Sequence, residues 1–548
     1  MAQVMASHLI GQTLRQRGVD TLFYLMGGPN FEIINGCQDV GIQTIDVRHE
    51  QAAAMAAHAY ARVSGKPGVC VGASGPGTLN LLTGVYNAHI DLAPMVVLGG
   101  SSAVSAFQTD AFQEVDQVNT FDPILKWAFR IYEGKRMPEL MNMAYRVAAS
   151  GRPGVVYVDL PGDVLYEQVE ESEVVWPQGR PLTATRPAGD DAAIEEAIEL
   201  LAHAERPIVV AGGGAFWSQA SEALQTFVEL AQTPFYTTPM SRGLIPEDHR
   251  LAYIAARSTA FREADLILVV GTRINWLLGF GQRYDPGAKI IHVDIAQEEI
   301  GHNRGVDVGI VGDARLVLNQ LIKAGQGRLP GKNRDAWLHR LEEDNERRWK
   351  DLDGVLNSPN TPIHLLRLCK EISDFVERDA IISIDGNEIL HFGRQSLPCY
   401  APGHRLNSGV TGCMGVGLPF GLGAKAAKPD KQVLVLHGDG SMGMNVMEID
   451  TAVRHNLPIV TVVSNNGGWT AREPEIRKPG RELGFTRFDQ IGEALGAHTE
   501  LVEEPNDIRP ALERAFESGK PAVVNVKTDP LAKAVSVRQT AYRIPLCP

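Results

Sequence analysis

Cysteine is scarce in this chain: six residues among 548, at 37, 70, 369, 399, 413 and 547, with no CxxC and no paired spacing. That scatter argues against a disulfide framework or a zinc site and fits a reducing cytoplasm. Long apolar runs are missing too. No window approaches the ~18 consecutive apolar residues of a membrane helix, so no membrane partner is expected. There is no excess of positive charge. Lys and Arg number 52 against 65 Asp and Glu, a net charge of −13, and no long basic run occurs. A phosphate-backbone binder needs a basic patch, so nucleic acid is not an expected partner. The opening MAQVMASHLIGQTLRQRGVD lacks a charged segment followed by an apolar core and cleavage site; it predicts an amphipathic helix.

What is present is ordinary for a globular chain: 44% apolar and 21% charged residues. At roughly 100–200 residues per domain, the length suggests about three domains. Short apolar runs alternate with helix-length connections, the pattern of α/β units with parallel strands. In residues 1–165 the runs are GVCVGASG, APMVVLGGSS and GVVYVDLPGDV. A proline-studded linker, VVWPQGRPLTATRPAGD, follows. A second unit, 190–325, carries RPIVVAGGG, TPFYTT, ADLILVVGTR and AKIIHVDI. The charged segment KNRDAWLHRLEEDNERRWKDL predicts a linking helix. A third unit, 360–548, carries RDAIISIDGN, KQVLVLHGDG, LPIVTVVSNN and KPAVVNVKTD. The expected architecture is three doubly wound parallel-sheet domains.

The strongest chemical signal lies in the third unit. The strand VLVLHGDG ends at Gly438-Asp439-Gly440, a helix SMGMNVMEIDTAVRHN follows, and the next strand ends at Asn465-Asn466. Asp439 and Asn466 thus sit at the C-terminal ends of neighbouring parallel strands, where open α/β sheets bind ligands. One carboxylate, one amide oxygen and a nearby glycine carbonyl are hard oxygen ligands suited to Mg²⁺ shared with a phosphate. Gly440 allows close backbone approach to an anion. Either motif half alone would be an ordinary polar turn; together, at this spacing, they are specific.

This pattern resembles the signature of the thiamine diphosphate-dependent enzymes, and the likeness extends over the whole chain. The resemblance implies a pyrimidine-binding unit, a central nucleotide-binding-like unit and a diphosphate-binding unit. It implies Mg²⁺ held by Asp439, Asn466 and the carbonyl of Gly468, with Gly438, Gly440 and Ser441 at the diphosphate. Glu50, in IDVRHEQAAAMAAHAYARVSG, occupies the place of the glutamate that activates the cofactor's aminopyrimidine. In RLNSGVTGCMGVGLPFGLG, Met414 fits the wedge that bends the cofactor, and the Gly412 carbonyl would accept from its 4′ amino group. Family members place Glu50 and the GDG motif on different subunits, so a homodimer is the expected minimum and a homotetramer the expected assembly.

The branch is set by further segments. AARSTAFREADLILVVGTRINWLLGFG, VDIAQEEI and NNGGWTAR are similar to the 2-hydroxyacyl-CoA lyase and oxalyl-CoA decarboxylase group. That likeness implies an acyl-CoA substrate, 2-hydroxyisobutyryl-CoA among the candidates, cleaved through the thiamine ylid to formyl-CoA and a ketone or aldehyde. Oxalyl-CoA decarboxylases show a Tyr-Glu pair and a further Tyr where this chain has Phe112-Gln113 and Thr470. The departure favours the lyase, with Gln113 on the substrate hydroxyl or carbonyl and Phe112 and Trp469 walling an alkyl group. Oxalyl-CoA decarboxylase and an acetolactate synthase-like carboligase are the alternatives. Glu493 is a candidate base for the hydroxyl proton, with His49 and His89 behind it. The central unit implies ADP as a candidate ligand, on Arg152, Gly213, Gly214, Arg273 and Asp294. The tail, with Lys533, Arg538, Tyr542, Arg543 and Pro545, is a candidate lid over CoA phosphates.

Overall fold

A computed structural model describes residues 2–177, 185–475 and 479–534. Three parallel sheets organise them. In the first, the spatial order is Gln43–Asp46, Thr21–Tyr24, Gly68–Gly72, Met95–Ser101, Val155–Pro161, Trp127–Arg130. In the last it is Arg405–Leu406, Ile381–Asp385, Val433–Gly438, Val460–Asn465, Ala522–Lys527, His498–Val502. Numbered within each unit, both sheets read 2-1-3-4-6-5, so the two outer units share one topology. The central sheet (Phe235–Thr237, Pro207–Ala211, Leu266–Val270, Lys289–Asp294, Val308–Val311) reads 2-1-3-4-5. In each sheet the order reverses between the first and third strands, which opens a crevice at their carboxyl ends.

The fully apolar runs of the sequence are the fully buried inner strands: Gly68–Gly72, Met95–Ser101 and Val155–Pro161 have every residue buried. Thr21–Tyr24, Gln43–Asp46 and Trp127–Arg130 are shorter and only partly apolar, and the sequence pattern does not reveal them. The chain opens with a short strand, Gln3–Met5, before the expected helix Ala6–Gln16; it pairs antiparallel with Gln168–Glu170 and carries the first unit past residue 165. The linking helix forms as Asp335–Leu356. The single helix expected over Ser441–Asn456 is instead two, Asp439–Met444 and Glu448–Arg454, broken at Asn445. Among the described residues no helix is long and apolar enough to cross a membrane.

The two outer units share one hydrophobic core. At its centre the alanine-rich helix Glu50–Ser64 packs on Gly417–Ala427. A helix buried on all sides must be thin, and its neighbours must yield room. Glycines supply that room. A Cβ on Gly423 would stand 2.1 Å from the Ala56 carbonyl oxygen, and one on Gly68 would stand 2.2 Å from that of Ala57.

Gly423→Ala is therefore expected to destabilise the protein by about 1–3 kcal/mol through overpacking. Gly354→Ala, with open space around it inside Asp335–Leu356, should stabilise by up to ~1 kcal/mol. Urea denaturation of the two variants checks both signs.

Candidate active site

The crevice of the third sheet is a cleft of about 300 Å³. The turn after Val433–Gly438 supplies Gly438, Asp439, Gly440 and Ser441; the end of the next strand supplies Asn466, Gly468 and Trp469; Met414 closes it from the preceding loop. Eight residues expected from the sequence are thus brought together. Asp439 is 4% exposed. Its Oδ1 accepts from the Gly440 amide at 3.0 Å, and its Oδ2 is buried with no hydrogen-bond partner. Burial pushes its carboxyl up to about 6, against the backbone N–H groups that favour the ionised form. The Asn466 Oδ1 accepts from the Gly468 amide at 3.2 Å. Among the described residues no three His, Cys, Asp or Glu side chains gather as a metal site. This cradle instead offers one carboxylate, one amide oxygen and one carbonyl. An unpartnered buried carboxylate oxygen is costly, and a divalent cation retaining water or phosphate ligands would satisfy it.

The Trp469 ring lies on Gly440, where a Cβ would come within 2.5 Å of its Cε3. Only glycine lets the indole form this wall. Ser441 turns inward: its hydroxyl donates to the Gly438 carbonyl at 3.0 Å and pairs with His437 Nδ1 at 2.9 Å. Burial pushes His437 down to about 3, so it is neutral. Gly412 has a left-handed φ of 64°, a backbone state that side chains disfavour, and stands two residues from Met414 outside the cleft's lining.

Six lining residues were not anticipated, Asn387 and Glu388 among them. Asn387 and Glu388 follow Ile381–Asp385, the strand beside Val433–Gly438. The Gly-Asn-Glu after the apolar run IISID was the available signal. Glu388 accepts from the amides of Ala471 at 3.2 Å and Ala534 at 2.7 Å, tying the Trp469 loop to the end of the described chain. The proposed lid residues beyond Lys533 lie outside the described residues, and Lys533 itself pairs with Glu473.

Glu50 belongs to another corner. It opens helix Glu50–Ser64, capped by the His49 side chain, and is 6% exposed. Its Oε2 accepts from Asn80 Nδ2 at 3.0 Å, a partner the sequence reading missed. A Cβ on Gly77 would stand 3.0 Å from Oε1, and one on Gly75 would stand 2.5 Å from the Gln113 carbonyl oxygen. One turn after Gly68–Gly72 therefore gathers Glu50 and Gln113. Gln108, Asp110 and Gln113 all have left-handed φ, and the Glu114 carboxylate braces the loop by accepting from the Ala111 amide at 2.9 Å. Strain of that kind persists where the surroundings impose it. Phe112, at its tip, is 86% exposed.

The third crevice, in the central unit, has a volume of about 1090 Å³ and is lined by all five expected nucleotide residues: Arg152, Gly213, Gly214, Arg273 and Asp294. Arg152 pairs with Glu299 at 2.8 Å, Arg273 donates to the Ile90 carbonyl, and burial raises the Asp294 carboxyl. Glu493 joins none of these places. It is exposed on Phe488–Ala494, whose buried residues are Phe488, Asp489 and Gly492, so its placement within the chain gives the expected base role no support. His89 is pushed down to about 4, chiefly by burial and then by Arg152 and Arg273, and lies among those cations instead of at the Asp439 cleft.

Three family models match the chain. They are the thiamine pyrophosphate enzyme N-terminal TPP binding domain over residues 5–120, the central domain over 194–321 and the C-terminal TPP binding domain over 390–526. A probable acetolactate synthase of Mycobacterium bovis is 38% identical, covering 96% of this chain and 97% of that protein. A 2-hydroxyacyl-CoA lyase of Arabidopsis thaliana is 35% identical, covering 97% and 96%. An oxalyl-CoA decarboxylase of Escherichia coli K12 is 33% identical, covering 96% and 95%.

Asp439→Ala should abolish Mg²⁺-dependent binding of thiamine diphosphate in a calorimetric titration. Glu50→Gln should bind it within about threefold of the wild type yet lose turnover by a factor on the order of 10² or more.

Proposed function

The chain belongs to the thiamine diphosphate-dependent enzymes that cleave carbon–carbon bonds, and we propose that it is a 2-hydroxyacyl-CoA lyase releasing formyl-CoA and a ketone or aldehyde. Thiamine diphosphate, when bound, supplies an acceptor for the electron pair freed by the cleavage. The residues present fit it. Asp439 Oδ2, Asn466 Oδ1 and the Gly468 carbonyl would hold Mg²⁺, Gly438, Gly440 and Ser441 would line the diphosphate, and Gly412 and Met414 would support the rings.

The cleft around Asp439 is lined by residues 365–469 alone, without Glu50 or Gln113. In this proposal its pyrimidine side is supplied by a second copy, with a homodimer as the minimum and a homotetramer as a natural extension. In that arrangement the Glu50 carboxylate, steadied by Asn80, holds the proton of the pyrimidine ring. Gln113 positions the substrate hydroxyl or carbonyl, while Phe112 and Trp469 wall its alkyl group.

The observation that carries the acyl-CoA reading is a cleft of about 1160 Å³ in the central unit. It is lined by Arg257, Ser258, Arg262 and Arg283, with Phe261, Tyr284 and Asp285. Among the described residues none of the three arginines forms an ion pair, and Arg257 Nε is buried without a hydrogen-bond partner. Burial and then the neighbouring Arg283 hold the Arg257 guanidinium below its usual range. Such a set is complementary to a nucleotide's phosphates, and Arg257, stacked 4.8 Å from the Phe261 centroid, adds a flat surface. The segment AARSTAFRE, whose likeness pointed to CoA-dependent enzymes, builds this wall. The crevice holding Arg152, Gly213, Gly214, Arg273 and Asp294 is assigned to ADP. Phe112-Gln113, apolar and neutral, favours a hydroxyacyl substrate over the carboxylate-bearing oxalyl group of oxalyl-CoA. The likeness to acetolactate synthases at 38% identity supports a carboligase as the second reading.

With thiamine diphosphate and Mg²⁺, 2-hydroxyisobutyryl-CoA should give formyl-CoA and acetone by mass spectrometry, and oxalyl-CoA should remain intact. Acetolactate from pyruvate would replace this reading with the second one. Arg257→Ala should raise KM for the acyl-CoA at least ~10-fold, the loss of a buried charged hydrogen bond, with kcat nearly unchanged. Co-expressing Glu50→Gln with Asp439→Ala should restore about a quarter of wild-type activity, because half of the dimers then hold one intact site.

A further inference from the structure

The break in the helix after Asp439 has a cause outside that helix. Asn445, which ends Asp439–Met444, is 4% exposed. Its Oδ1 accepts from Gln51 Nε2 at 3.0 Å, and its Nδ2 donates to the Gly415 carbonyl at 2.7 Å. Gln51 directly follows Glu50, and Gly415 directly follows Met414. Gly415 has a left-handed φ of 86°, and a Cβ there would stand 3.0 Å from Asn445 Nδ2. The amide is fully committed in direction. Reversed, it would set donor against donor at Gln51 and acceptor against acceptor at Gly415.

Glu448, one turn further on, supports the same clamp. It is 1% exposed, accepts from the Arg48 amide at 3.1 and 3.3 Å through its two oxygens, and accepts from the Thr451 hydroxyl at 2.7 Å. The segment 445–448 therefore grips the turn before Glu50 and the loop after Met414 at once. Neither partner of Asn445 is itself expected to touch cofactor or substrate, yet each is one residue from a group that is.

We propose that Asn445 is a positioning residue for catalysis, setting the turn of Glu50 and the loop of Met414 in fixed relation within each chain. The inference rests on the reading of those two residues as cofactor-contacting. The Asn445 amide is the only side chain among the described residues that bonds to both segments. Its loss frees two buried partners and lets both backbones drift. A shift of ~1 Å in a reacting group costs on the order of 10²-fold in rate.

The test uses full-length Asn445→Ala, Gln51→Ala, the double variant and the isosteric Asn445→Asp, with the wild type. In Asn445→Ala, kcat should fall 10- to 100-fold, a loss within that range, with KM for the acyl-CoA within about threefold. The cofactor-free melting temperature should hold within about 2 °C, and the double variant should be no slower than Asn445→Ala alone. Amide exchange in the cofactor-free protein should quicken at 48–51 and 412–415 only. Asn445→Asp, which keeps the acceptor for Gln51 but opposes the Gly415 carbonyl, should lose rate likewise and serves if the alanine variant does not fold. Wild-type kcat in a folded Asn445 variant, or rate losses that merely track melting temperature across the set, would overturn the proposal. Failure of the wild type to bind thiamine diphosphate would overturn the cofactor reading and this inference with it; normal binding with unchanged kcat would overturn the inference alone.

Discussion

The close approach of Glu50–Ser64 to Gly417–Ala427 is the contact on which the rest of the molecule depends. Alanines on one helix and glycines facing it bring backbones together, and the ~0.74 packing density of protein interiors leaves no slack in such a contact. Because the helix begins at Glu50, its placement also fixes a candidate catalytic carboxylate. Because its partner follows the loop of Met414, the same contact sets the other side of the chemistry. Stability and active-site geometry here share one physical basis.

Three sheets with the same strand reversal give three crevices, and chemistry differs because the side chains at the strand ends differ. In the third unit the buried Asp439 carboxylate keeps one oxygen without a hydrogen-bond partner. At the central unit Arg273 and Asp294, joined by Arg152 of the first unit, line a larger crevice. In the first, a turn of small residues presents Glu50 and Gln113. A fold alone chooses none of these roles.

The inner strands and the GDG and NN ends were legible in sequence because apolar runs and turn residues are local signals. Asp439, Asn466, Gly468, Trp469 and Met414 meet in the cleft because each lies at a strand end or in a Gly-rich turn. The short strands Thr21–Tyr24 and Trp127–Arg130 were illegible, since runs of four residues, only partly apolar, carry little pattern. Asn80, Glu388 and Asn445 were illegible for another reason. Each works through a partner 30 to 394 residues away, and no spacing rule reaches that far.

The sequence by itself determined the α/β class, the three units and the Gly-Asp-Gly turn, because hydrophobic periodicity and local backbone demands are written in neighbouring residues. Only the tertiary structure decided that helix 441–456 breaks at Asn445, that Glu493 lies outside the cleft around Asp439, and that Arg257, Arg262 and Arg283 line one cleft. Those outcomes depend on which distant groups compete for the same buried hydrogen bonds and the same space, and packing alone resolves that competition.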